Sequence, residues 1–232
     1  MYFDYYYLVL VLPMVILSLI AQAKVNSSFS KYSKVSTRRN FTATEAVRQI
    51  LDNNGLHNVK IEAVSGKLTD HYDPKANVIR LSDSVRNSTS VAAVGVAAHE
   101  AGHAVQHAKG YAPIRWRNSL VGVANLGSKL SIPLILIGLV LVGMESMLGE
   151  IIVYAGIIMF SAAVLFQVVT LPVEFDASKR AIAVLGEDGY LYEDEVGAVK
   201  KVLSAAAMTY VAAAATSIAQ LLRLILIARD RD

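Results

Sequence analysis

Apolar positions along the chain fall into two regimes. In four stretches they run almost unbroken over the length of a bilayer crossing, which takes about 20 residues at 1.5 Å rise each. Elsewhere they recur among polar residues at helix and strand spacings. The first long stretch, YYYLVLVLPMVILSLIAQA, ends at Ala23; Asp4 is the one charged side chain before it, and Lys24, Lys31, Lys34, Arg38 and Arg39 follow. This basic bias predicts an anchor over residues 1–23 with its N-terminus outside and the following chain in the cytoplasm. It lacks the basic leader of a cleaved signal peptide, so the anchor is expected to be retained.

The second and third stretches, LSIPLILIGLVLVGM and IIVYAGIIMFSAAVLFQVVTL, are joined by ESMLGE, which has no Lys or Arg. Residues 130–171 therefore read as a membrane hairpin with its tip outside, because Lys109, Arg115, Arg117 and Lys129 hold its entry in the cytoplasm. Residues 202–228 form the last stretch, rich in Ala, Ser and Thr, as suits close helix packing. Its far end carries Arg223, Arg229 and Arg231, which argues against export of that end, and whether it spans the membrane or lies against the other helices stays open.

Residues 24–129 make the main polar region, and 172–201 a second cytoplasmic segment. TATEAVRQILDNNGL has a capping-box start, Thr42 to Glu45, and an Asn-Gly stop, so it predicts a helix. VKIEAVSGKLTDHYDPKANVIRLSDSV shows short alternating runs broken by Ser-Gly and Asp-Pro, predicting two or three short strands. NVIRL (77–81) has the pattern of a sheet edge along which a peptide could be added as a strand. After NSTS comes a helix, VAAVGVAAHEAGHAVQHAKGY. The expected fold is mainly α with a small β-sheet and three or four transmembrane helices.

Composition sharpens this reading. Hydrophobic residues make up 54% and charged residues 18% of the 232-residue chain, too oily for an ordinary soluble enzyme. Absence of cysteine excludes thiolate metal sites, disulfides and cysteine nucleophiles, so any metal must be held by histidine and carboxylate. The net charge of +3 is explained by basic residues beside apolar spans, and nucleic acid is not an expected partner.

His99, Glu100 and His103 spell H-E-x-x-H. Residues four apart lie on one helix face, so both imidazoles can reach one ion. Glu100 is rotated by roughly 100° from His99 and is placed beside the ion as a general base for water. Two imidazoles and a carboxylate in an Ala/Val face are costly without such a partner. The small neighbours Ala98, Ala101, Gly102 and Ala104 let another backbone or a substrate approach. His107 lies about 12 Å from His99 along the helix axis, too far to share its ion. Candidates for a third ligand include His57, His71 and the carboxylates of LPVEFDASKRAIAVLG. Glu174 is preferred as a helix-borne Glu starting a helix after the third span, with Asp176 its nearest rival and Ser178 placed to orient a ligand histidine. Tyr72 or His71 is a candidate donor to an oxyanion.

VAAHEAGHAVQH and LPVEFDASKRA, separated by a two-helix membrane segment and followed by AAAMTYVAAAATSIAQLLRLI, resemble the YugP-type family of neutral zinc metallopeptidases of bacterial membranes. The resemblance covers nearly the whole chain. It implies Zn²⁺, hydrolysis of peptide bonds in protein or peptide substrates, and a multi-pass protein of the bacterial plasma membrane. The order of parts is also similar to the integral-membrane gluzincins, among them the CAAX prenyl proteases and the heat-shock membrane protease. There a Glu opening Glu-x-x-x-Asp is the third zinc ligand, which supports Glu174; this chain departs with Ser178 at the fifth position. The expectation is a zinc endopeptidase acting on membrane or membrane-proximal proteins, with a cytoplasmic site of His99, His103, Glu174 and Glu100. The alternative is a non-catalytic, metal-stabilised membrane scaffold or quality-control adaptor, which a closed four-ligand site would favour.

Overall fold

A computed structural model describes residues 4–229, so Arg231 and the first three residues of the anchor lie outside the described residues. Its elements are α1 (Leu12–Tyr32, preceded by a π-helical turn at Tyr7–Val11), α2 (Ala43–Asn53), β1 (Lys60–Val64), β2 (His71–Asp73), β3 (Val78–Ser82), α3 (Val91–Ala108), α4 (Ala112–Val142), α5 (Met147–Glu187) and α6 (Glu193–Arg229). The fold is mainly helical with one small open sheet. Among the described residues, four helices are long and apolar enough to cross a membrane: Tyr7–Tyr32, Ala112–Val142, Met147–Glu187 and Glu193–Arg229. The chain divides into two units, one of Met1–Ile20, Trp116–Leu171 and Thr209–Asp232, the other of Ala21–Arg115 and Pro172–Met208.

In the first unit, α4 and α5 are joined by a short turn at residues 143–146. Small residues let the two backbones approach closely: a Cβ at Gly138 would lie 2.8 Å from Val153 N, and one at Gly156 would lie 3.0 Å from Ser131 O. The segments of α1 and α6 in this unit are tied by polar groups. Ser18 Oγ lies 3.1 Å from Thr216 Oγ1, the Thr216 hydroxyl is also 3.2 Å from the Met14 carbonyl, and Arg223 Nε donates to Asp4 at 2.8 Å. Arg223 is therefore neutralised inside the helical bundle by the single acid that precedes the first span, which removes the cost that its charge would otherwise carry in an apolar setting.

The second unit is built around α3. Ser90 caps its N-terminus by accepting a hydrogen bond from Ala93 N, and Val91, Ala92, Ala93, Val94, Ala97, Ala98, Ala101 and Ala104 are buried in one core with α2 residues Ala46, Val47, Ile50 and Leu51. At the start of α2, Thr42 and Glu45 form the reciprocal capping box. Three strands form, in the order β1-β3-β2, with β1 parallel and β2 antiparallel to β3. The segment read as a sheet edge is thus the central strand: Val78, Ile79, Leu81 and Ser82 are all buried, the two-faced burial that a middle strand requires. The free edges belong to β1 and β2.

Glu174 also sits differently from expectation. It does not begin a helix; α5 continues through Pro172 from the apolar run into the segment that carries it. Proline removes the backbone bond to Val168 O but does not stop the helix, as is common where other groups hold the turn. Glu174 is therefore in a helix interior, and stabilisation of a helix N-terminal dipole does not explain it.

Candidate metal centre

One turn of α3 and one turn of α5 face each other at the site. Gly102 makes this approach possible: a Cβ there would lie 2.7 Å from the carbonyl oxygen of Ala177. On either side of that contact, α3 presents His99 and His103, and α5 presents Glu174 and Ser178. Glu174 is 3% exposed and its Oε2 lies 3.2 Å from His99 Nε2 and 3.6 Å from His103 Nε2. One ligand atom from each of the three residues falls within a span of 4.8 Å. Donors around a tetrahedral ion at about 2.0–2.1 Å stand about 3.3 Å apart, so this set fits a zinc-sized cation with little movement.

The remaining ring nitrogens are also engaged. His99 Nδ1 lies 3.1 Å from Ser178 Oγ, and His103 Nδ1 lies 3.0 Å from Gln106 Oε1. With Nδ1 protonated and donating in both rings, both Nε2 lone pairs point into the cluster with Glu174. Gln106 is fully buried and its own orientation is fixed, because its Nε2 donates to Val173 O and to Asp176 Oδ2, each at 2.8 Å. Asp176 in turn accepts from Arg180 at 2.5 Å. An amide whose NH₂ is committed to two acceptors can offer only its oxygen to His103, so the chain Arg180, Asp176, Gln106 sets the tautomer of one imidazole.

Charge points the same way as geometry. Burial works against a cationic imidazolium at His103, but Glu174 and Glu100 beside it, together with Gln106, outweigh burial and hold its pKa above the ordinary histidine value. A divalent cation in this pocket would answer the same carboxylate charge while leaving the imidazoles neutral. Glu100 is buried on the same helix, outside the cluster of ligand atoms.

The cluster unites His99, His103 and Glu174 from the expected set and leaves out its rivals. Asp176 serves Gln106 and Arg180, His57 pairs with Asp52, and His71 lies against Thr69 O and Arg80. His107 is 3.2 Å from the Tyr72 hydroxyl, bridging α3 to β2. Ser178 reaches His99, as its position one turn beyond Glu174 suggests. Sequence reasoning did not single out Gln106. Its signal is its place three residues after His103, on the same helix face.

Comparison with known proteins agrees with this geometry. The family described as "Putative neutral zinc metallopeptidase" matches residues 7–229. A protein of Bacillus subtilis (strain 168) named "Putative membrane protease YugP" is 48% identical over 211 residues, covering 91% of each chain. No solved structure matches.

Proposed function

This chain belongs to the neutral zinc metallopeptidase family, and from that premise we propose that it is a membrane-embedded zinc endopeptidase of the gluzincin type. The observation that carries the proposal is a buried cluster of three ligand-bearing side chains, His99, His103 and Glu174, with Glu100 on the same helix as the two histidines. Three protein ligands leave a coordination position open, as catalytic zinc sites do; a purely structural site closes with four. This favours the enzyme over the metal-stabilised scaffold.

In this reading His99, His103 and Glu174 hold Zn²⁺, while Ser178 and Gln106 keep the imidazoles in the ligating tautomer. The ion, when bound, supplies Lewis acidity towards water and the scissile carbonyl. Glu100 takes the proton from the attacking water and delivers it to the departing amine nitrogen, which converts a poor leaving group into a neutral one. The free edge of β2, linked to the metal-bearing helix through Tyr72 and His107, is the place for an extended peptide to add as a strand. Basic residues around the spans support a cytoplasmic position for residues 24–129 and 172–201, and in this reading the substrates are proteins or peptides presented near the inner membrane surface.

Metal analysis of the purified full-length chain tests the proposal. It predicts one zinc per chain, lost in Glu174→Ala and His103→Ala, and peptidase activity that disappears on chelation and returns with zinc. Full proteolysis by a zinc-free chain would refute it.

A further inference from the structure

Outside the metal centre, the second unit contains a groove of about 1280 Å³ formed by α1, α5 and α6. Lys24, Lys31, Lys179, Lys200 and Lys201 line it, and among the described residues no lining residue is acidic. All five are exposed, and among the described residues none forms an ion pair. The floor is apolar: Leu203 is buried, while Phe175 and Met208 remain 47% and 39% exposed there. A lysine cluster over an apolar floor suits an amphiphile with an anionic head.

The sequence positions of the lysines indicate where such a molecule comes from. Lys24 directly follows the apolar run that ends at Ala23, and Lys200 and Lys201 directly precede the one that begins at Val202. The groove thus gathers basic residues from the polar ends of separate candidate spans, on the side to which the positive-inside rule assigns the cytoplasm. Acidic headgroups are available in that leaflet, and basic pockets between membrane helices are suited to holding them.

We propose that this groove binds an acidic phospholipid, its phosphate among the five lysines and the start of an acyl chain along Phe175, Leu203 and Met208. Ser178 lines the groove and also touches His99, so the lipid site adjoins the metal centre. The inference does not depend on whether that centre cleaves peptides.

The test uses the full-length chain with Trp116, its single tryptophan, replaced by Phe and a reporter introduced by Met208→Trp. The protein is reconstituted in phosphatidylcholine nanodiscs doped with brominated phosphatidylglycerol or brominated phosphatidylcholine, and quenching of the reporter is measured. Phosphatidylglycerol is expected to quench at about a tenfold lower mole fraction or better. Each of Lys24→Gln, Lys200→Gln and Lys201→Gln is expected to reduce this preference about fivefold, until the two lipids quench alike. Lys60→Gln and Lys75→Gln, at exposed positions outside the groove, leave it unchanged. Should the variant that combines Lys24→Gln, Lys200→Gln and Lys201→Gln fail to fold, high salt on the reporter protein with all lysines intact gives the same loss. Equal quenching by the two lipids, or a preference that survives lysine neutralisation, overturns the proposal. Displacement of the brominated lipid by millimolar glycerol 3-phosphate also overturns it, in favour of a soluble phosphate site.

Discussion

Gly102→Ala is the smallest change that separates the two halves of the metal centre. The added Cβ would sit 2.7 Å from Ala177 O and 3.3 Å from both Ala177 C and Cα, where ordinary contact begins at 3.4 Å. Because the obstacle is backbone, no rotamer relieves it, and α3 must move from α5 by about 0.7 Å along that contact. Metal sites tolerate about 0.2 Å in their ligand distances, and this displacement acts between His99 and His103 on one helix and Glu174 on the other. Overpacking costs about 1–3 kcal/mol, against which alanine recovers up to about 1 kcal/mol of helix propensity. The net expectation is a fold weakened by up to about 2 kcal/mol and a zinc affinity lowered at least tenfold, about the effect of losing an orienting partner. Thermal unfolding with and without chelator, and zinc competition with a chromophoric chelator, read both effects. Gly197→Ala is the control: it lies in α6 with nothing within 4 Å of the new Cβ, and should be neutral or stabilising. If Gly102→Ala binds zinc within about twofold of the wild type and melts no earlier than Gly197→Ala, a close helix contact does not set the site geometry.

Two further changes probe separate links in the account. Gln106→Leu removes the acceptor for His103 Nδ1 while leaving all three ligand side chains, and should lower zinc affinity by about 10- to 100-fold as read by the same competition. Thr42→Ala breaks the capping box of α2 and should cost about 1 kcal/mol in thermal unfolding without changing zinc affinity.

The parts of the site that follow helix periodicity were legible in the sequence. His99 and His103 share a face because they are four apart, and the small residues around them signalled a close backbone approach, which the contact of Gly102 with Ala177 provides. Thr42 and Glu45 likewise carry their cap in a four-residue pattern. What depends on distant segments was less readable. NVIRL has the same alternation whether β3 is an edge or the middle, and only its pairing with both β1 and β2 decides. Pro172 is a local stop signal that the long helix α5 overrides. The lysine groove draws on α1, α5 and α6, three stretches with no common motif.

Glu100→Gln loaded with zinc bears most directly on the central claim, because it removes proton transfer while keeping His99, His103 and Glu174. Measured on a peptide substrate that the wild-type chain cleaves, the account predicts one zinc per chain and a turnover rate lowered by about 10² to 10⁴. Turnover within about threefold of the wild type would contradict it, since loss of a positioned general base has to cost far more than that.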